Sequence, residues 1–186
     1  MFGTKLFRIR ALVEFGDVEA GELGGYVEKE SNLGHDDNAW VYDNAWVYGN
    51  ARVYGDAQVS GDARVYDNAW VYGDAQVSGD ARVYGNARVY GNAWVYGNAL
   101  VCSDEDYAYA HGFGSVNRTT TFFRLKDGGV GVRCGCFYGT LAQFRDKIRE
   151  THGETKKAQE YLMLADLMEL RFEEDENEVG NRKYVE

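Results

Sequence analysis

Three histidines, His35, His111 and His152, are the side chains suited to proton transfer near neutral pH. His35 lies in an irregular stretch. His152 sits where a helix is expected to end, a position that favours a cation. His111 is the reasonable base candidate, with Asp104 or Asp106 to orient its ring. Cys134 and Cys136 are two apart, a spacing unlike the CxxC pairs of zinc sites. They fit better as small buried hydrophobes on the side of a strand shared by Val130 and Val132. Stacked corner acids, Asp56 over Asp74 and Asp62 over Asp80, lack the cage of a calcium site and fit solvated turns. No metal, cofactor or catalytic residue is therefore expected. A basic stretch holds Arg118, Arg124, Lys126, Arg133, Arg145, Lys147, Arg149, Lys156 and Lys157. Arg124, Lys126 and Arg133 are placed to line one face of a hairpin. That face suits either an anionic ligand such as a nucleotide or the acidic surface of a neighbouring subunit.

These residues belong to a chain of 186 amino acids with a formal charge of −10. Such a charge repels phosphates and argues against non-specific DNA binding. No apolar run approaches the roughly 18 residues of a membrane span. The segment Met1–Leu6 lacks the apolar core of a signal peptide. Three cysteines make no disulfide scaffold, so a reducing, cytoplasmic setting is expected. Proline is absent and glycine numbers 23, which leaves the turns to Gly, Asn and Asp. Residues 1–102 carry 8 basic and 14 acidic side chains, a net of −6. Residues 113–165 carry 9 and 5, a net of +4, and residues 166–186 carry 3 and 8, a net of −5.

A six-residue unit organises the middle third of the chain. It runs unbroken from Asp37 to Cys102 as DNAWVY, DNAWVY, GNARVY, GDAQVS, GDARVY, DNAWVY, GDAQVS, GDARVY, GNARVY, GNAWVY and GNALVC. Alanine holds the third place and valine the fifth in all eleven units. Two residues apart in an extended strand, they share one side, and the side chains that follow them share the other. Gly or Asp followed by Asn or Asp makes the corner. A short strand and a corner, repeated, wind into a coil around an Ala/Val ladder.

On these residues the chain resembles the hexapeptide-repeat proteins that form a left-handed parallel β-helix. The resemblance implies three hexads per triangular coil of eighteen residues, about four to five coils here. Residues 55–72 and 73–90 nearly repeat one another, which supports that period independently. Relatives of this fold are commonly trimers, so a homo-oligomer, trimer or dimer, is expected by analogy. Hexapeptide acyltransferases use a histidine base near a subunit boundary. Here no histidine falls within the eleven hexads, and the long loop excursion of those enzymes is missing. The stretch Gly21–Val27 and the Thr121-Phe122-Phe123 hairpin resemble hexapeptide-repeat proteins of phages and their hosts.

An eighteen-residue turn stacks every third hexad. One face then shows Trp40, Gln58, Gln76 and Trp94 beside Tyr42, Ser60, Ser78 and Tyr96, a Gln/Ser floor between aromatic walls. The next shows Trp46, Arg64, Arg82 and Leu100 beside Tyr48, Tyr66, Tyr84 and Cys102. The last shows Arg52, Trp70 and Arg88 beside Tyr54, Tyr72 and Tyr90. Such columns stabilise neighbouring coils, and the same residue types dominate interface hot spots.

The flanks complete a mainly β protein. Residues 1–36 form an N-terminal cap and degenerate first coil, with Phe7, Ile9, Ala11 and Val13 alternating on one side of a strand. Residues 103–117 form a linker. Residues 118–172 form a ββαα unit, with a hairpin about Asp127-Gly128-Gly129 and a capping box at Thr140 and Gln143. The first helix stops at Gly153, and a second runs from about Thr155 to Phe172, with Tyr161, Leu164, Ala165 and Met168 as its apolar stripe. An acidic tail, 173–186, is expected to fray. The function expected is a non-catalytic binding and assembly protein whose oligomeric solenoid presents Tyr, Trp and Arg. Its specific forms are a phage-type antagonist of a host protein in the host cytoplasm, or sequestration of an anionic nucleotide signal. A divergent acyltransferase is the less favoured alternative.

Overall fold

A computed structural model describes residues 3–116 and 118–173. The expected acidic tail beyond Glu173 lies outside the described residues. The hexads form eleven two-residue strands, each followed by a two-residue turn. They are β3 (Trp40–Val41), β4 (Trp46–Val47), β5 (Arg52–Val53), β6 (Gln58–Val59), β7 (Arg64–Val65), β8 (Trp70–Val71), β9 (Gln76–Val77), β10 (Arg82–Val83), β11 (Arg88–Val89), β12 (Trp94–Val95) and β13 (Leu100–Val101).

Their pairing is parallel at an offset of eighteen residues: Trp40 opposite Gln58, Trp46 opposite Arg64, Arg52 opposite Trp70. Three sheets result, ordered β3-β6-β9-β12, β4-β7-β10-β13 and β5-β8-β11, so the eleven hexads make a β-solenoid of about four turns. Every hexad valine is fully buried and every hexad alanine nearly so. This is the ladder expected from the fifth and third places.

The corners need left-handed backbone. Gly79 has φ +75°, and a Cβ there would meet the Gly97 nitrogen of the next coil at 2.9 Å. Asp43 and Asp67 adopt φ 53° and 59° without being glycine. Each carboxylate accepts an amide from the next coil, Asp43 from Gly61 at 3.1 Å and Asp67 from Gly85 at 3.4 Å. The short polar side chain thus makes an unfavourable backbone useful.

At the N-terminal end, β1 (Phe7–Arg10) pairs antiparallel with β2 (Leu23–Val27), and β2 lies parallel on β4 with Val27 opposite Val47. Leu33 bridges to Val53, and the buried Asn32 donates to the Gly49 and Ala51 carbonyls. The strand is shorter than the alternation suggested. Ala11 is buried, but Val13 lies beyond the strand and is exposed.

The C-terminal end differs more. Residues 107–113 are not a linker: β14 (Tyr107–Phe113) is the first strand of an antiparallel sheet with β15 (Arg118–Arg124), β16 (Val130–Cys134) and β17 (Phe137–Thr140). The unit is therefore a four-stranded sheet with two helices rather than ββαα. The Asp127-Gly128 turn forms as expected. Helix α1 (Leu141–His152) starts at the Thr140–Gln143 capping box and stops at Gly153. Helix α2 (Lys156–Phe172) starts at Thr155.

The alternation of β15 joins two cores. Phe123 packs with the solenoid ladder, whereas Phe122 packs with Val132, Phe144, Tyr161 and Met168 under the helices. The sheet is sewn to the last coil by Trp94 N–H donating to the Thr121 hydroxyl at 2.9 Å, and by Lys126 N–H donating to the Asn98 carbonyl at 3.1 Å. The solenoid is therefore covered at both ends, which hides strand edges that would otherwise pair with other chains.

Gly79→Ala is expected to lose about 1–2 kcal/mol for its left-handed φ, and more for the cramped Cβ. A guanidinium unfolding curve with a lowered midpoint and unchanged slope checks this.

Candidate functional site

The columns stand where the eighteen-residue register puts them, and two faces remain open. On one, Tyr48, Tyr66 and Tyr84 stack at 5.1 Å per step, nearly parallel. Beside them, the Arg64 guanidinium lies over the Trp46 ring at 4.6 Å, with Arg82 next in the column. An open cleft of about 450 Å³ here is lined by Leu6, Tyr26, Asn44, Trp46, Asp62 and Arg64. On the other face, Tyr54, Tyr72 and Tyr90 stack at 5.0 and 5.4 Å. Arg52 and Arg88 flank the Trp70 ring from either side, at 5.8 and 5.4 Å. Among the described residues, Arg52, Arg64, Arg82 and Arg88 carry no ion pair, and aromatic rings hold three of them, Arg52, Arg64 and Arg88.

Stacking partly dehydrates the phenols. Burial pushes the hydroxyls of Tyr48, Tyr54 and Tyr66 above the ordinary tyrosine value. Tyr84 is pushed up to about 12, first by burial and then by Cys102 and Tyr66. Tyr107 is also raised, by burial and by Tyr90, while its hydroxyl donates to the Arg88 carbonyl at 2.7 Å.

On the third face the caps cover the aromatic walls, leaving a cleft of about 470 Å³ beside Gln76 and Trp94. Trp40 is only 5% exposed, packed edge-on against Phe15 of the N-terminal cap at 5.4 Å. Trp94 is covered at the other end by Arg133, whose guanidinium lies 4.2 Å from the indole centre and 5.0 Å from that of Tyr96. Gln58 and Gln76 form the half-buried floor between. Both tryptophan walls are docking points for the caps.

The basic hairpin is likewise redirected. Arg133 is opposite Thr121, so it shares the side of β15 that faces the solenoid. Arg124 shares the other side with Phe122. There its guanidinium lies 3.4 Å from the buried Asp106 carboxylate and 5.6 Å over the Phe172 ring. Lys126 donates to the Asp80 carbonyl at 3.1 Å. Arg133 and Lys126 both reach the solenoid, at different places, while alternation along β15 turns Arg124 to the helices, so the three do not line one open face. Arg145 pairs with Asp166 and Glu169 at 2.8 and 2.7 Å, and Lys147 and Arg149 pair within α1.

Asp106 was missed as a structural residue. It accepts from the Cys102 and Ser103 amides at 2.9 and 3.0 Å and from the Cys102 thiol at 3.0 Å, closing the turn that ends the solenoid. Its position four residues after the last hexad was the available signal. Asp104 accepts the Arg88 amide at 2.7 Å. Neither carboxylate orients His111, whose Nδ1 lies 2.9 Å from the Thr119 hydroxyl. His35 is 3.8 Å from Glu30, and His152 stacks on Tyr161. Cys134 is buried, with the Thr120 hydroxyl donating to its sulfur at 3.2 Å. Cys136 is exposed, because the turn at Gly135 reverses the chain before it. Among the described residues no His/Cys/Asp/Glu group could hold a metal, and no helix is long and apolar enough to cross a membrane.

A stack of hexads closed at both ends defines a β-solenoid repeat protein. Residues 45–59, 57–73, 75–91 and 81–97 match the YdcK β-solenoid repeat. The match falls within the hexads, and the flanks lie outside it. A search of curated proteins returns no match to the chain.

Two tests follow. A phenol whose folded pKa is raised adds stability that is full below the unfolded value near 10 and is lost as pH climbs through the folded value. Alkaline titration followed at 295 nm should show late-ionising tyrosines and unfolding between pH 10 and about 12, the value for Tyr84. Arg133→Ala should lower unfolding stability by about 1–2 kcal/mol, read by urea denaturation with tryptophan emission.

Proposed function

We propose that this protein is a non-catalytic binding and assembly scaffold. Its rigid solenoid presents two open faces of Tyr, Trp and Arg to a protein partner or to another subunit. One observation carries this. Arg52, Arg64, Arg82 and Arg88 stand in fixed register with Trp46, Trp70 and the tyrosine ladders, free of carboxylate partners among the described residues. The arginines that hold the caps are, by contrast, consumed internally. Aromatic and arginine side chains already ordered by stacking lose little further freedom on binding, which favours their use as anchors.

Capture of an anionic ligand is a second form of the same reading. It is supported by the cleft where Arg64 and Trp46 meet. Asp62 at that cleft weakens the attraction for a highly charged anion, so a protein surface is preferred. Neither the position of His111 nor that of His152 favours acyl transfer, since among the described residues no carboxylate orients either ring.

Native mass spectrometry of freshly purified protein, repeated after denaturation, reads subunit number and retained mass together. A ligand-free oligomer or a retained protein supports the scaffold, and a removable anionic mass supports sequestration. A strict monomer retaining nothing removes the assembly half. Isothermal titration with coenzyme A is expected to give no binding. Saturable binding, with acetyl transfer that His111→Ala abolishes, would overturn the non-catalytic assignment.

A further inference from the structure

The cleft on the third face is built by both halves of the molecule. The solenoid supplies Gln76 and Trp94, paired in successive coils, with Asp74 and Asn92 from the corner beside them. The C-terminal sheet supplies Arg118, Thr119 and Gly135. Thr119 lies two residues before Thr121, whose hydroxyl takes the Trp94 amide, so both threonines face the solenoid. His111 stands beside the cleft through its 2.9 Å contact with Thr119. Arg118 lies across Gly135, where no room is left for a Cβ. Arg133, stacked on Trp94, holds that indole in place.

The hydrogen-bonding capacity of these walls is unspent. Elsewhere the corner side chains bond along the stack, Asn38 donating to Asp56 at 2.7 Å, Asn50 to Asn68 at 3.2 Å and Asn68 to Asn86 at 3.4 Å. Among the described residues, the side chains of Asp74, Gln76, Asn92 and Arg118 make no hydrogen bond or ion pair with the protein. Gln76 is nevertheless half-buried, where an unpaired amide is costly.

We propose that this cleft binds a neutral sugar. The carboxylate only accepts hydrogen bonds, the guanidinium only donates, and the two amides do both. A hydroxyl-rich ligand answers all four, because each hydroxyl both donates and accepts. Each of these side chains also presents two coplanar polar atoms, the spacing that a pair of neighbouring hydroxyls matches. Trp94 offers the apolar wall on which the C–H face of a pyranose ring packs. Charge excludes the alternatives. Asp74 offsets Arg118, so the cleft has no net field to draw in a phosphate or an ammonium group. A zwitterionic amino acid would pair with both charges but leave the Gln76 and Asn92 amides unanswered. A cleft of about 470 Å³ is the size of a small-molecule site. It lies apart from the two open faces, so the inference stands whether or not the chain self-associates.

The test is titration of the full chain with glucose, galactose, mannose and N-acetylglucosamine, each followed by two-dimensional ¹⁵N NMR. Saturable shifts of the Trp94 indole N–H and of the Gln76 and Asn92 side-chain amides are expected with at least one of these sugars. Gln76→Ala and Arg118→Ala, each at the surface of the cleft, should both weaken that binding about tenfold, the cost of one lost hydrogen bond. Their circular dichroism spectra should match that of the unsubstituted chain. Absence of shifts in the cleft with all four sugars overturns the proposal. So does sugar binding that both substitutions leave intact, because the sugar then sits elsewhere. Glutamate or adenosine monophosphate, run as controls, should leave the cleft signals unmoved. If either shifts them where the sugars do not, the ligand is charged and the neutral-sugar assignment falls.

Discussion

Each hexad buries one valine and one alanine against the hexads eighteen residues before and after it, and each strand is only two residues long. A two-residue strand cannot hold register through its own hydrogen bonds. Register is held because any slip by one residue would turn the valines outward and drive Trp, Arg or Gln into an axis with room only for alanine and valine. Burying a valine is worth roughly 1.5–3 kcal/mol, and the ladder collects this at every hexad from Val41 to Val101. The amide ladder, such as Trp46 N–H to the Ala63 carbonyl at 2.9 Å, follows from that packing.

The outer columns inherit this order without having to stabilise it. Because Val47, Val65 and Val83 are locked one above another, Tyr48, Tyr66 and Tyr84 must stack, whatever else they do. The corners obey the same constraint from the other side. A coil rises by about one strand spacing, ~4.8 Å, so successive corners sit in backbone contact and only Gly, or Asp with its carboxylate turned onto the next amide, fits there. Surface chemistry is therefore displayed on a pitch that the core sets. Substituting Trp for Arg in a column changes the face and leaves the fold alone.

This explains what could be read in advance. The period, the ladder, the columns and the helix caps were legible, because each depends on neighbours six, eighteen or three residues away. The docking of the C-terminal sheet was not. Tyr107-Ala-Tyr-Ala carries the two-residue alternation of a strand, but the glycines at 112 and 114 and the acids at 104–106 made it resemble a linker. The three basic residues looked like one patch because the side of a strand on which each falls depends on pairing. Once Thr121 opposes Arg133, that arginine faces the solenoid and Arg124 faces the helices. The burial of Trp40 was equally hidden, since it depends on Phe15 returning from an irregular segment.

The end of the repeat shows how such a stack is made finite. The last hexad swaps tyrosine for Cys102, which breaks the stacked column and leaves room for a tight turn. Asp106 closes that turn by accepting the Cys102 and Ser103 amides, and its buried charge is matched by Arg124 from the incoming sheet. A buried carboxylate without its cation costs several kcal/mol, so the turn and the sheet stabilise each other or neither forms well. Thr121 meanwhile takes the Trp94 amide that a further coil would have used. Growth stops because the sheet satisfies the backbone groups that another hexad would need, and the helices it carries turn a repeat that can extend indefinitely into a particle with one distinct end.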